Sequence, residues 1–357
     1  SGLLGSLRNA SGAMRVLEQG MAVVQSNVTN ASTPGYARQR LQTHALSFDL
    51  DRGLVGGVAS SGTQSARSPH AEQSVRRLAS FAGSADERSV QLASLEPVFG
   101  IDGAQGIGGA LTRFFQAASS LSVTPNDGSA REHLLEQASR VASAFQHTSA
   151  GLGEAQTSLD RGIQAQLNSI HGIASRLQQM NLQFKQDFRA QDDAGLDAEL
   201  TSLLEDLAAR VDYTLLRAED GSVSIFVGGQ TPLVIGERLY ALSAAPAPGG
   251  AIALLDHDGQ NVTSQLSGGA LASLFDLRNR VFPGYQQSLD QLATSFANSV
   301  NSTLAAGVDQ AGNAPPQDLY TCDPAASAAR SLRTPTITAA ELALASPAAP
   351  GGNGNAL

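Results

Sequence analysis

The amino-terminal segment carries apolar residues at alternating steps of four and three. This spacing continues for about four heptads and predicts a helix with a coiled-coil seam. A seam of this length needs a partner, because an isolated helix is only marginally stable in water. The alternative is an ordinary amphipathic helix that packs on its own domain. The seam consists of Leu3, Leu7, Ala10, Met14, Leu17, Met21, Val24, Val28 and Ala31.

The predicted helix ends at a turn within the sequence NVTNASTPGYARQR. Pro34 disfavours helical backbone at Thr33, and the pair Pro34-Gly35 suits a type II turn. Asn27 and Asn30 can bond to backbone groups near the helix end. A Pro-Gly pair alone is weak evidence, since such turns occur in many proteins. Its place directly after a heptad helix makes it more specific.

Composition and apolar runs argue against a nucleic-acid partner, a disulfide, a membrane span and a cleaved secretory signal. The net charge is -9, and Lys185 is the only lysine, so we expect no nucleic-acid partner. Cys322 is the only cysteine, which rules out an intrachain disulfide and a CxxC site. No run approaches the roughly 18 apolar residues of a membrane span, so we expect no membrane insertion. The first residues also lack the pattern of a cleaved secretory signal, which leaves a soluble chain or export by another route.

Candidate catalytic and metal-binding motifs are missing from the sequence. The histidines form no HExxH motif and no pair at i,i+4 spacing. The glycines between Gly100 and Gly109 fail the GxGxxG test, because Leu111 stands where the third glycine belongs. The carboxylates between Asp192 and Asp206 fit a helix start and a solvated face. We therefore predict no catalytic residue, no cofactor and no metal site, and we predict that the chain is not an enzyme. The histidines are His44, His70, His133, His147, His171 and His257.

Beyond the turn, the patterns predict long helices interrupted by one β-rich stretch. Residues 46–66 read as a loop or a small hairpin, and residues 71–99, 109–121 and 129–188 read as helices. The last of these carries a second four-three seam, formed by Ile163, Leu167, Ile170, Ala174, Leu177, Asn181, Phe184 and Phe188. Helix returns from residue 269 to residue 312.

The β-rich stretch is predicted from alternating apolar residues and turn signals. Residues 251–255 and 260–263 are predicted to form a hairpin, and residues 244–250 a connecting loop. Four further strands are predicted at residues 211–216, 223–227, 232–235 and 238–242.

The predicted fold is mainly α, with long coiled-coil-like helices and a short antiparallel β subdomain. We divide the chain into three parts. Residues 1–45 hold the heptad helix and its turn, residues 46–205 and 266–357 form a discontinuous long-helix domain, and residues 206–265 form the β-rich insert.

The run from Asn27 to Arg40, which includes Tyr36, resembles the signature shared by the axial proteins of the bacterial flagellum, namely rod, hook and hook-associated proteins. Residues 109–145 and 269–312 are similar to the first hook-associated proteins, which form the hook-filament junction. Hook and rod proteins become β-rich soon after the turn, whereas in this chain helix is predicted to resume near Pro69. This chain departs from the family in two places. Residues 191–197 stand where the family usually has an Asp-rich stretch that contains Arg, and the β-rich insert is short.

The resemblance implies a structural subunit that joins hook to filament by self-assembly through terminal helices. Its partners would be copies of itself, the hook protein, the second junction protein and an export chaperone. The subunit would be secreted by type III export and would reside in the flagellum. The assembly interface would comprise Leu3, Leu7, Met14, Leu17, Met21, Val24 and Val28, and the motif turn Asn27, Asn30, Pro34, Gly35 and Tyr36.

In the family the last helix pairs with the first. The resemblance therefore implies that this chain lacks the C-terminal helix, since residues 351–357 look like the turn that precedes it. Two alternatives stay open: a rod or hook subunit, or an unrelated extracellular helical adhesin or export chaperone.

Overall fold

The computed structural model describes residues 2–49, 54–100, 106–187, 190, 193–323 and 325–348. Long helices and small antiparallel sheets make up these residues, which confirms the predicted fold class. The chain divides into two compact units. The first comprises Ser1–Glu87 and Ile163–Phe275, and the second comprises Arg88–Gly162 and Asp276–Leu357.

The first unit begins with a long helix followed by a β-hairpin. The hairpin is antiparallel, with a register shift between Gln42 and Thr43, and a second small ladder extends its tip. Of the two alternatives predicted for residues 46–66, the structure has a hairpin, but its first strand, Gln39–Ala45, lies before the predicted stretch. The elements are α1 (Gly2–Thr29), β1 (Gln39–Ala45), β2 (Phe48–Asp49), β3 (Leu54–Val55) and β4 (Val58–Ser65).

The first unit also contains a four-stranded antiparallel sheet and, besides most of the helix Gly269–Asp276, three helical segments. Alternate side chains of the sheet's second strand, Val223, Ile225 and Val227, are buried, so one face of the sheet packs on the unit's core. The helices are α2 (Pro69–Ala93), the end of α5 (Gly128–Gln186) and α6 (Ala194–Arg210). The strands are β5 (Tyr213–Arg217), β6 (Val223–Val227), β7 (Thr231–Ile235) and β8 (Arg238–Leu239), in that spatial order.

A separate two-stranded ladder differs from the prediction. The segment predicted as a loop contains β9 (Ser243–Pro246), which pairs with β10 (Ile252–Leu255). The stretch predicted to pair with β10 does so through the bridge between Leu255 and Asn261 and the backbone hydrogen bond from Val262 to Leu254. The predicted hairpin is therefore present but short, because the amide of Leu254 donates to the hydroxyl of Thr263 at 2.8 Å instead of to a backbone carbonyl.

The second unit is a helical core closed by an irregular carboxyl-terminal segment. Phe114, Phe145, Phe296 and Tyr320 form an aromatic cluster, and the Tyr320 hydroxyl donates to the carbonyl of Ala138 at 3.0 Å. The unit contains α3 (Glu96–Phe99), α4 (Ile107–Val123), the start of α5, α8 (Phe282–Ala305) and α9 (Ala328–Ser331). Helix α7 (Gly269–Asp276) precedes a π-helical turn at Leu277–Val281 that leads into α8.

The second predicted seam lies inside the chain. Its residues from Ile163 to Phe184 are almost fully buried in α5, so intramolecular packing satisfies this heptad. Asn181 interrupts the apolar row for a reason: its amide group donates to the carbonyls of Val223 and Gly236 and accepts from the amide of Val223. The seam position Phe188 lies outside the described residues.

Other predictions also fall outside the described residues, namely most of the glycine-rich loop (101–105), part of the departing stretch (191–192) and the terminal turn (351–357). The boundaries at residues 45, 205 and 265 do not coincide with the two compact units, which are cut near residues 87, 162 and 275. The three-part division therefore stays a prediction about roles, whereas the compact units describe packing.

Candidate assembly surface

Helix α1 presents its heptad residues to solvent. Leu3 is 88% exposed and Val24, the least exposed of the seven predicted interface residues, is 62% exposed. Side chains of this type are usually buried in a folded chain, because burial of one such side chain stabilises by about 1.5–3 kcal/mol. The structure thus brings Leu3, Leu7, Met14, Leu17, Met21, Val24 and Val28 together as one exposed apolar stripe, called here the α1 stripe.

The opposite face of α1 carries small residues and lies on the hairpin. A Cβ atom added at Gly12 would lie 3.8 Å from the carbonyl oxygen of Val58, and one at Gly20 would lie 3.9 Å from Leu41 Cδ2. On the hairpin side, Gly57 leaves room for the carboxamide of Asn9. Small residues let the helix backbone approach the strands closely, so α1 is held by its small face while its large apolar residues stay free.

The motif turn fixes the end of α1 to the first strand. Asn27 donates to the carbonyl of Gln39 at 2.9 Å and accepts from the amide of Gln39 at 2.8 Å. The Tyr36 hydroxyl donates to the same Asn27 oxygen at 3.0 Å. Asn30 acts locally, donating to the carbonyl of Ser26 at 3.0 Å. The predicted turn residues therefore meet, and Asn27 occupies the centre.

The Pro34-Gly35 pair forms the predicted tight turn. The amide of Tyr36 donates to the carbonyl of Thr33 at 3.1 Å, and Gly35 has a φ of 72°, as the third position of a type II turn requires. Glycine is needed here for a second reason. A Cβ at this position would clash with the carbonyl oxygen of Ala198 in α6.

Arg67 joins this turn to two helices, a role the sequence did not reveal. Its guanidinium donates to the Gly35 carbonyl, to Asp197 of α6 at 3.0 Å and to Glu72 of α2 at 2.8 Å. Burial opposes its charge, but the hydrogen bonds and the attraction of the two carboxylates outweigh burial and raise the pKa of Arg67. Asp197 lies in the first turn of α6, as the sequence predicts, and Asp193 caps this helix. Nothing local in the sequence links Arg67 to Asp197.

The described residues offer one group that could hold a metal ion, Asp256, His257 and Asp258. These residues form an exposed turn, where Asp256 Oδ1 already accepts the backbone amides of Asp258 and Gln260. The carboxylate is thus used to build the turn. Among the helices that the structure describes, none is long and apolar enough to cross a membrane.

The comparisons with known proteins agree with this architecture. A family model described as the helical domain of the flagellar hook-associated protein FlgK matches residues 92–320. The chain belongs to this family. The match includes α4, α5, α6, the four-stranded sheet and α8.

Relatives with established names are distant in sequence. Flagellar hook-associated protein 1 of Bacillus subtilis is 23% identical over 344 residues, covering 86% of this chain and 68% of the relative. The protein of the same name from Salmonella typhimurium is 21% identical over 323 residues, covering 86% of this chain and 58% of the relative.

The flagellar hook junction protein FlgK from Burkholderia pseudomallei has a similar fold, with a TM-score of 0.60 at 24% identity. The alignment covers 71% of this chain and 47% of that chain. This likeness shows the fold alone. The chain spans between about half and two thirds of the length of these relatives.

Proposed function

We propose that this chain is a structural subunit of the bacterial flagellum that joins hook to filament, and that it assembles through the α1 stripe. The observation that carries the proposal is the stripe itself: seven large apolar side chains in heptad spacing, all exposed, on a member of the hook-associated family. A heptad stripe is completed by another helix.

Energetics support a role in assembly over a role in folding. Each side chain of the stripe would gain about 1.5–3 kcal/mol on full burial. Within the described residues only a minor part of this is gained, because the side chains of the stripe are 62–88% exposed. Burial against a neighbouring helix would therefore favour the assembled state specifically. Heterologous contacts of this kind propagate rings or tubes.

The partners that fit this proposal are copies of the chain and neighbouring axial flagellar proteins. The finer expectations are the hook protein, the second junction protein and an export chaperone as partners, with type III export to the hook-filament junction as the route. Within the chain, residues 1–45 would form the assembling segment, residues 46–205 and 266–357 the helical body, and residues 206–265 an insert. The names of the relatives, both flagellar hook-associated protein 1, favour the junction over a rod or hook position.

The test is an incorporation assay in a strain that lacks its own hook-associated protein 1. The full-length gene carrying Leu7→Ala, Leu17→Ala or Val24→Ala is compared with the unaltered gene, and attached filaments are counted by electron microscopy. We expect each variant to reduce attachment strongly while the purified subunit unfolds at an unchanged temperature. A variant that unfolds the free subunit would place the stripe in the folding core and contradict the proposal.

A further inference from the structure

A groove of about 780 Å³ lies within the first unit, between α2 and the edge of the four-stranded sheet. One wall is the first half of α2, including His70, Arg76 and Arg77. The other wall is β5, represented by Tyr213 and Leu215. The proposed assembly through α1 does not use this groove.

The strand that borders the groove has a free backbone edge. β5 is the terminal strand of its sheet, and no further strand pairs with it in the part of the chain that the structure describes. The opposite terminal strand, β8, has only two residues. Proteins usually protect strand edges with short strands, bulges, prolines, charged side chains or a covering helix or loop. β5 is five residues long and contains no proline, and its only charged residue, Arg217, lies at its end, so the edge at Tyr213 and Leu215 carries neither protection.

The hydrogen-bond pattern shows which backbone groups face the groove. The amide of Ala218 donates to the carbonyl of Ser222, and the amide of Gly228 donates to the carbonyl of Asp212. Even-numbered residues of β5 therefore pair with β6. In an antiparallel strand the intervening residues point the other way, so the amide and carbonyl groups of Tyr213 and Leu215 point away from β6.

The charge of the groove is opposite to that of the chain. Two arginines line it, and among the described residues neither Arg76 nor Arg77 forms an ion pair. The lining also contains the carboxylate of Asp212, which accepts from the amide and hydroxyl of Ser267 at 3.1 and 2.7 Å, so two positive charges there face one negative charge. The chain as a whole has a net charge of -9. The groove therefore favours a negatively charged ligand.

We propose that the groove receives an extended acidic segment of another protein, which adds a strand to the free edge of β5. Backbone groups of the segment would pair with Tyr213 and Leu215, and its carboxylates would lie beside Arg76 and Arg77. Strand addition of this kind gives affinity through main-chain hydrogen bonds and specificity through side chains. A helix would leave the strand edge unpaired, and a basic segment would be repelled.

The test uses the full-length protein and two fluorescein-labelled peptides of about seven residues, a typical strand length. In one peptide valine alternates with glutamate, and in the other valine alternates with lysine. Fluorescence anisotropy measures binding to the unaltered protein and to four variants. Leu215→Pro removes the outward amide without breaking the pairs to β6, whereas Leu215→Ala loses the side chain but keeps the amide. Arg77→Glu reverses a groove charge, and Arg15→Glu on α1 is its matched control.

We expect the glutamate peptide to bind, with the lysine peptide, Leu215→Pro and Arg77→Glu each weaker by about tenfold or more. Leu215→Ala and Arg15→Glu should stay within about threefold of the unaltered protein. Absence of binding at millimolar peptide would overturn the proposal, as would equal binding of the two peptides. Binding that survives Leu215→Pro would show charge attraction without strand addition, and self-association abolished by that variant would make a second copy the occupant. Either result also overturns it.

Discussion

Gly35 is constrained both by its positive φ and by the close approach of Ala198, and comparison with Gly259 separates the two effects. The φ of 72° at Gly35 disfavours any side chain, and a Cβ would also clash with Ala198. Gly259 has a nearly identical φ of 76°, but its Cβ would meet nothing within 4 Å. We predict that Gly35→Ala lowers the free energy of unfolding by about 2–4 kcal/mol, and Gly259→Ala by about 1–2 kcal/mol.

Urea denaturation of the two purified variants measures this difference. Equal losses would show that α6 moves aside without cost and that the turn is not fixed against Ala198.

A second prediction concerns His171, whose Nε2 accepts the backbone amide of Leu242 at 2.9 Å. Burial lowers its pKa below the ordinary value of 6.5. The unfolded chain then binds the proton more readily than the folded chain, so stability is complete above pH 6.5 and falls as the pH drops toward the folded-state pKa. We expect His171→Gln to flatten this acid-side loss of stability.

Denaturation midpoints measured across this pH range check the effect. His147→Gln serves as the control, because His147 is exposed and its ring bonds to the carbonyl of Ser143 in its own helix. If both variants keep the slope of the unaltered protein, the hydrogen bond to Leu242 does not link folding to pH.

At the scale of elements, the two heptads show what a sequence pattern can and cannot predict. The α1 and α5 stripes have the same spacing, and both helices were predicted. One stripe is exposed and the other is buried. Periodicity defines an apolar face but not the surface that covers it, so partner identity could not be read from either stripe. The small residues opposite the α1 stripe were the available signal, because Gly12 and Gly20 mark the face that touches the hairpin.

Glycine-to-alanine changes in two helices should have opposite effects. At Gly12 of α1 the new methyl group would make an ordinary contact, so Gly12→Ala should stabilise α1 by about 0.5–1 kcal/mol through helix propensity. At Gly83 of α2 it would collide with the backbone of Ala209, so Gly83→Ala should destabilise the first unit by about 1–3 kcal/mol.

Hydrogen exchange of the α1 amides and thermal unfolding measure the two effects. Slower exchange is expected for Gly12→Ala. Faster exchange in that variant would mean that α1 cannot accept even one methyl group against the hairpin.

For the whole molecule, the fold class could be predicted from the periodicity of apolar residues. Side-chain contacts between residues far apart in the sequence could not. The contact of Arg67 with Asp197 spans 130 residues. Neither residue stands out locally, so pattern analysis assigned Asp197 to a helix start. The turn residues from Asn27 to Tyr36 were found because their chemistry is local: an amide beside a helix end and a Pro-Gly pair. The division into compact units also escaped prediction, because α2 and α5 each contribute to both units.

The central claim is that the α1 stripe is exposed in the free subunit and covered after assembly. The most direct measurement is thiol labelling of Leu17→Cys in a Cys322→Ser background, comparing the purified subunit, intact isolated flagella and the same flagella after denaturation. The account predicts rapid labelling of the free subunit, where Leu17 is 63% exposed, strong protection in intact flagella and full labelling after denaturation. Equal labelling of the free and assembled subunit would show that the stripe stays uncovered and would contradict assembly through α1.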